Sequence, residues 1–102
     1  MKLDLKDRII LMNVLPAQGT IKEIANVIEC NKLLAITEAE SKDYGYHNDG
    51  QQATWNPDID TTKEIKLKHE HVSLLKKEIE RLDSEGKVNR GQYETFVKIQ
   101  KL

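Results

Sequence analysis

The sequence predicts a mainly helical α+β fold with N-terminal helices, a small two-stranded antiparallel ribbon and a C-terminal helical hairpin. Apolar residues recur at three- and four-residue spacing towards both ends of the chain, which is the period of an amphipathic helix. Turn-forming Gly, Asn and Pro residues concentrate between 45 and 58. With 102 residues, the chain is expected to form a single domain, 1–102.

The first helix is predicted over 5–15. Asp4 is a suitable N-cap, and the carboxylate of Asp7 lies where it favours a helix start. Pro16 ends the helix, because proline disfavours a helical conformation at the residue before it. The apolar face is wide, so we expect this helix to be central to the core; it comprises Leu5, Ile9, Ile10, Leu11, Met12, Val14 and Leu15.

Two further helices are predicted from capping boxes, in which a Ser or Thr and a Glu three residues later satisfy each other's backbone amides. Thr20 and Glu23 start a second helix over 21–33, and Thr37 and Glu40 start a short third helix over 38–42. The buried stripe of the second helix is expected to consist of Ile21, Ile24, Ala25 and Ile28, with Val27 beside it.

The middle of the chain contains turn signals, which are Gly45, Asn48-Asp49-Gly50 and Asn56-Pro57-Asp58. Two segments near them favour extended structure: Gln51 to Asn56, and Glu64 to Leu67, where polar and apolar residues alternate. We expect these two segments to pair as an antiparallel ribbon, with 57–62 as the connection.

The C-terminal part predicts two helices. Val72, Leu75, Ile79 and Leu82 lie on one face of a fourth helix over 69–85, and Gly86 is placed to end it in a left-handed conformation. Asn89 with Gln92 starts a fifth helix that runs to about Gln100. Its core face is expected to comprise Tyr93, Phe96 and Val97, and the short link makes the two helices an antiparallel hairpin.

Composition limits the class of protein. Hydrophobic residues make up 38% and charged residues 32%, which is typical of a folded, helix-rich protein. No apolar run approaches the roughly 20 residues that cross a bilayer, and the N-terminus mixes charges before any apolar stretch. We therefore expect a cytoplasmic protein with no membrane association. Cys30 is the only cysteine, so no disulfide can form within the chain, and we expect it to be a buried thiol.

The sequence contains no pattern that predicts a catalytic, cofactor-binding or metal site. His69 and His71 are two residues apart and would point away from each other on a helix. Asp58 and Asp60 lack the remaining ligands of a calcium loop. No glycine pair forms a phosphate-binding loop, and no serine lies in a nucleophile elbow. We therefore expect a protein that is not an enzyme.

Three of the five aromatic residues lie in the middle segment: Tyr44, Tyr46 and Trp55. One interpretation is that Trp55 closes the end of a small core. The other is that these three form a partner-binding surface, because aromatic residues are enriched at the centres of protein interfaces.

Charge is distributed unevenly along the chain. Residues 1–60 carry six basic and ten acidic side chains, whereas 61–102 carry ten basic and seven acidic ones. Such asymmetry can orient a partner or a second copy of the same chain. Partner binding, self-association included, is therefore the first functional hypothesis.

The alternative is a winged-helix-type DNA-binding regulator, since helices two and three followed by a ribbon resemble a helix-turn-helix with a wing. The segment in the position of the recognition helix, 37–43, carries three acids and one base, which disfavours contact with phosphates. DNA binding would then rely on C-terminal bases, with the candidates Lys66, Lys68, Lys77, Arg81 and Arg90.

One further indication is the arrangement Leu-x-Leu-x-x-Arg-Ile-x-Leu-x-Asn-x-Leu-Pro-x-x-Gly over Leu3 to Gly19. With Trp55-Asn56, Lys63-Glu64-Ile65 and the stretch from Leu82 to Val88 before an aromatic-bearing last helix, it resembles small uncharacterised proteins of bacterial phages and prophages. The resemblance implies an accessory protein of a phage or mobile element in a bacterial cytoplasm. It carries over no site residues.

Overall fold

The computed structural model describes all 102 residues and contains five α-helices and two short antiparallel sheets, which confirms a mainly helical α+β fold. In chain order the elements are β1 (Lys2–Leu3), α1 (Leu5–Val14), α2 (Ile21–Leu34), α3 (Glu38–Tyr44), β2 (His47–Asn48), β3 (Ala53–Thr54), β4 (Lys63–Glu64), α4 (His69–Ser84) and α5 (Arg90–Gln100). No helix combines the length and the apolar character needed to cross a bilayer.

Four helices start at the capping residues that the sequence predicts. The side chain of each capping residue accepts a hydrogen bond from the backbone N–H three residues later, and the capping residue's own backbone N–H donates to the side chain of that later residue; the four are Asp4, Thr20, Thr37 and Asn89. The fourth helix has a different cap. The N–H of Lys68 donates to Nδ1 of His71 at 3.1 Å. The histidine side chain therefore supplies one of the two hydrogen bonds of a capping box. Gly86 adopts a φ of 65°, as expected after α4.

The predicted ribbon of Gln51–Asn56 with Glu64–Leu67 is wrong. Ala53–Thr54 pairs instead with His47–Asn48, and Lys63–Glu64 pairs with Lys2–Leu3 at the N-terminus. Ala53–Thr54 pairs with His47–Asn48 because the loop between these two strands is short, so closing it costs little entropy. The carboxylate of Asp49 accepts the N–H groups of Gln51 and Gln52 in that loop, and Gly50 adopts a φ of 93°.

The core lies where α1 meets α2, α4 and α5. α1 is central, as its wide apolar face predicts, and β1 and β4 close one end of the core through Leu3 and Ile65. The buried apolar cluster consists of Leu3, Leu11, Val14, Cys30, Leu34, Ile65, Leu75, Ile79, Phe96 and Ile99.

Two predicted apolar faces are rotated relative to the expected ones. Ile21 and Ile28 are 93% and 52% exposed, because α2 packs on α1 and α4 through Cys30 and Leu34 instead. Tyr93 is 62% exposed. α5 turns so that Thr95, Phe96 and Ile99 face inwards, because the hydroxyl of Thr95 bonds a carboxylate on α1.

A buried ion pair joins the first three helices. The Arg8 side chain on α1 has no exposed surface, and its guanidinium makes a bidentate contact with the Glu40 carboxylate on α3, at 2.7 and 3.0 Å. The same group donates to the carbonyls of Leu34 and Ala35 at the end of α2, at 3.0 and 2.5 Å. One arginine therefore satisfies a carboxylate and two carbonyl groups at a helix end.

A second buried carboxylate joins the two ends of the chain. Asp7 accepts hydrogen bonds from Thr95 Oγ1 at 2.5 Å and from Lys98 Nζ at 2.6 Å. Burial alone would raise the pKa of Asp7, but these hydrogen bonds outweigh it and hold the pKa below its ordinary value. Nearby, the N–H of Leu5 donates to the buried hydroxyl of Thr61 at 3.0 Å. The first turn of α1 is thus attached to α5 and to the loop before β4.

We expect Arg8→Met to lower the free energy of unfolding by about 3–5 kcal/mol, because it leaves two carbonyl groups without their donor and removes the buried guanidinium partner of the Glu40 carboxylate. Urea titration followed by circular dichroism measures the change. The control is Arg81→Met, which breaks the ion pairs of a half-exposed guanidinium with the largely buried Glu78 and the exposed Glu85 and should cost clearly less, about 1 kcal/mol. Equal losses in both variants would contradict a structural role for the buried pair.

The pair also predicts a pH dependence. Hydrogen bonds from Arg8, despite the opposing effect of burial, lower the pKa of Glu40 to about 2 from 4.5. A carboxyl group with a lower pKa in the folded state stabilises the fold above its unfolded pKa, and this contribution is lost as the pH falls. The difference in unfolding free energy between wild type and Glu40→Gln should therefore be full near pH 6 and shrink between about 4.5 and about 2. A difference that is constant over this range would refute the assignment.

Cys30 is fully buried, and burial raises the pKa of its thiol to about 11. We expect native protein to react with a thiol-specific disulfide reagent far more slowly than unfolded protein, because the reactive thiolate is scarce and inaccessible. Absorbance of the released thiol at mildly alkaline pH, with and without denaturing urea, measures both rates. Similar rates in the two samples would show that the core opens readily around α2.

Candidate functional site

A cleft of about 370 Å³ lies between α1, the end of the β2–β3 hairpin and the start of α5. This volume falls within the range of ligand-sized pockets. Nine residues line the cleft: Lys6, Ile9, Ile10, Asn13, Ala53, Trp55, Asn89, Gly91 and Gln92.

The apolar part of the cleft comes from two elements. Ile9 and Ile10 are half-buried on α1, on the part of its wide apolar face that other helices leave uncovered. Ala53 and Trp55 are contributed by the hairpin, and both are also half-buried. The local β2–β3 pairing is what brings them there, because it folds the middle segment back towards α1. The cleft thus has apolar walls of aliphatic and indole groups, which suit a large apolar side chain.

The polar part of the cleft is positive in character. Lys6 is the one charged residue among those that line it. Asn89 and Gln92 form the capping box of α5, so the positive end of that helix dipole faces the cleft. α5 has no acidic residue in its first turn, and its first residue is Arg90. These features favour a negatively charged group beside the apolar one.

Of the three aromatic residues predicted to bind a partner, Trp55 lines the cleft, and Tyr44 and Tyr46 do not. Tyr44 is half-buried, and burial together with the negative charge of Glu40 raises its pKa. The carbonyl of Tyr44 accepts the N–H of Asn56 at 2.8 Å, which fixes the chain just after Trp55. The hydroxyl of Tyr46 accepts a hydrogen bond from the side chain of Asn48 at 3.2 Å. The contact of Tyr44 with Asn56 is thus made by its backbone, and the side chain of Tyr46 contacts the neighbouring strand residue Asn48.

The five bases of the nucleic-acid alternative do not form one patch of unneutralised charge. Lys68 contacts Glu29 at 2.6 Å, and Lys77 lies 3.9 Å from Glu23. Arg81 contacts Glu78 and Glu85 at 3.1 and 2.8 Å. The remaining two, Lys66 and Arg90, lie after β4 and at the start of α5.

The third helix does not present bases either. Glu38, Lys42 and Asp43 are exposed on α3, while Glu40 turns inwards to Arg8. Its exposed face is therefore acidic on balance, as the sequence predicts, and a DNA backbone would be repelled by it.

His69 and His71 separate completely in the structure. His69 is exposed, whereas His71, also in the first turn of α4, is fully buried. Its Nδ1 accepts the N–H of Lys68, and its Nε2 lies 3.6 Å from the Glu29 carboxylate. His71 is thus a capping residue. No group of three or more His, Cys, Asp or Glu residues is arranged to hold a metal ion.

Sequence reasoning missed most of the cleft. The sequence predicts only a capping role for Asn89 and Gln92, and it predicts that Ile9 and Ile10 belong to the core. The available signal was the apolar face of α1, which is wider than a helix with one partner needs. That signal does not say which apolar residues remain uncovered.

Comparison with known proteins gives no relative from which a role could be transferred. No protein-family model matches the chain, and neither a curated protein nor a solved structure is similar to it.

Proposed function

We propose that the protein is a non-enzymatic recognition module that binds a segment of a partner protein in the cleft beside Trp55. The observation that carries this proposal is the apolar cleft itself, with an indole at one wall and two isoleucines at another. Partly buried aromatic residues beside aliphatic ones are typical anchor sites in protein interfaces.

The charges around the cleft narrow the class of partner. Lys6 and the N-terminal end of α5 favour an acidic group next to the bound apolar side chain. The target is therefore a segment in which a large apolar residue is flanked by Asp or Glu. None of the nine lining residues is a Ser, Cys, His, Asp or Glu, which favours binding over catalysis.

The resemblance to phage and prophage proteins supports a further part of the proposal, which is that the partner is a host or phage protein in a bacterial cytoplasm. A DNA-binding regulator is the less favoured function, because three of its five candidate bases are paired with carboxylates.

The test is selection of peptides from a random displayed library on wild-type protein, followed by titration of the selected peptides. Trp55 is the only tryptophan, so its fluorescence reports occupancy of the cleft directly. We expect selected sequences to combine a large apolar residue with an acidic neighbour. Trp55→Ala should weaken their binding at least about tenfold, since it removes one wall of the site.

Charge reversal supplies the matched control. Lys6→Glu places an acidic residue in the first turn of α1, where it is compatible with the helix. It should lower the affinity for acidic peptides by about tenfold. Lys101→Glu makes the same change in net charge at the far end of α5 and should leave affinity unchanged. Equal effects of both reversals, or peptides that bind without changing Trp55 fluorescence, would overturn the proposal.

A further inference from the structure

α2 carries an apolar stripe that nothing in the chain covers. Ile21 and Ile28 are 93% and 52% exposed, and Ala25 between them is exposed as well. The two isoleucines are seven residues apart, which places them on one face of the helix two turns apart. Ala25 is small, so another helix could approach closely at the centre of the stripe. Exposed apolar residues arranged in this way indicate an interface rather than scattered surface residues.

A pair of opposite charges borders one side of this stripe. Lys22 and Glu29 are also seven residues apart, and both line the groove between α2 and the start of α4. Lys22 makes no ion pair within the chain. Glu29 contacts Lys68 and His71 through Oε1, and its Oε2 takes part in neither contact. Both groups can therefore accept an additional partner of opposite charge.

The geometry points to a second copy of this chain as the occupant, with the two α2 helices packed antiparallel about a two-fold axis near Ala25 and Asn26. In an antiparallel pair, the same flank of each helix faces its counterpart. Lys22 of each copy then lies opposite Glu29 of the other, and each Ile21 meets Ile28 of the other copy. This surface is complementary to itself, as a two-fold interface requires.

The expected dimer is weak. α2 has 14 residues and is about 21 Å long, so one helix pair buries less than the roughly 1,200 Å² of a standard stable interface. The dimer does not involve the cleft, whose lining comes from α1, the hairpin and α5. Self-association and partner binding are therefore independent and can be tested separately.

Sedimentation equilibrium from micromolar to millimolar protein tests the inference. Wild type should shift from monomer to dimer over this range. Ile28→Glu should weaken the dimer at least about tenfold, because it buries a charge in the apolar stripe. Ile59→Glu, at an exposed isoleucine outside α2, is the matched control and should not change dimerisation. Circular dichroism confirms that both variants remain folded.

A charge swap separates the interface from effects within the chain. Lys22→Glu and Glu29→Lys should each weaken the dimer, whereas the double variant should recover most of the wild-type affinity. Within one chain the two residues are two helical turns, about 10 Å, apart, so the second change cannot repair the lost Glu29–Lys68 contact. Wild type that stays monomeric at millimolar concentration, dimerisation unaffected by Ile28→Glu, or a double variant as weak as the singles would each overturn the inference.

Discussion

The arrangement of the N-terminal half depends on the contact of Arg8 with Glu40 and with the carbonyls of Leu34 and Ala35. This guanidinium sets how α1, the end of α2 and the start of α3 lie relative to one another. A buried charge tolerates little displacement, since losing its partners is costly, so the contact acts as a geometric constraint. The hairpin follows α3 directly, and its position over α1 depends on that constraint. The position of Trp55 in the cleft therefore depends indirectly on the contacts of Arg8.

The cleft and the α2 stripe share a physical origin. A chain of this length cannot cover all of its apolar helix faces, because small domains bury a smaller share of their surface than large ones. α1 is covered by three helices and still leaves Ile9 and Ile10 partly open, and α2 leaves Ile21 and Ile28 uncovered. The two surfaces differ in shape and charge. The first is concave and positive, and the second is convex with charges of both signs.

The features that sequence predicts well here are local ones. The sequence predicts the helix starts correctly, because a cap such as Thr20 with Glu23 involves residues that are only three positions apart. The partner of Lys63–Glu64 was not found, because Lys2–Leu3 lies about sixty residues away and nothing in either segment encodes the pairing. The sequence does not predict the burial of Arg8, because charged residues are usually exposed, whereas this arginine is buried and its contacts join three helices. For the candidate site, Trp55 could be identified as an unusual residue, but the surface opposite it depends on tertiary packing.

The hydrogen bonds of Asp7 to Thr95 and Lys98 also bear on how the protein is made. The ribosome makes α1 before α5, and Asp7 and Thr95 are 88 positions apart in the sequence. Until α5 emerges, the carboxylate that α1 must bury has no hydroxyl or ammonium partner, and closing so long a loop carries an entropic cost. The contacts of Arg8 with Leu34, Ala35 and Glu40 need only the first forty residues, whereas the contacts of Asp7 are completed only once α5 has been made.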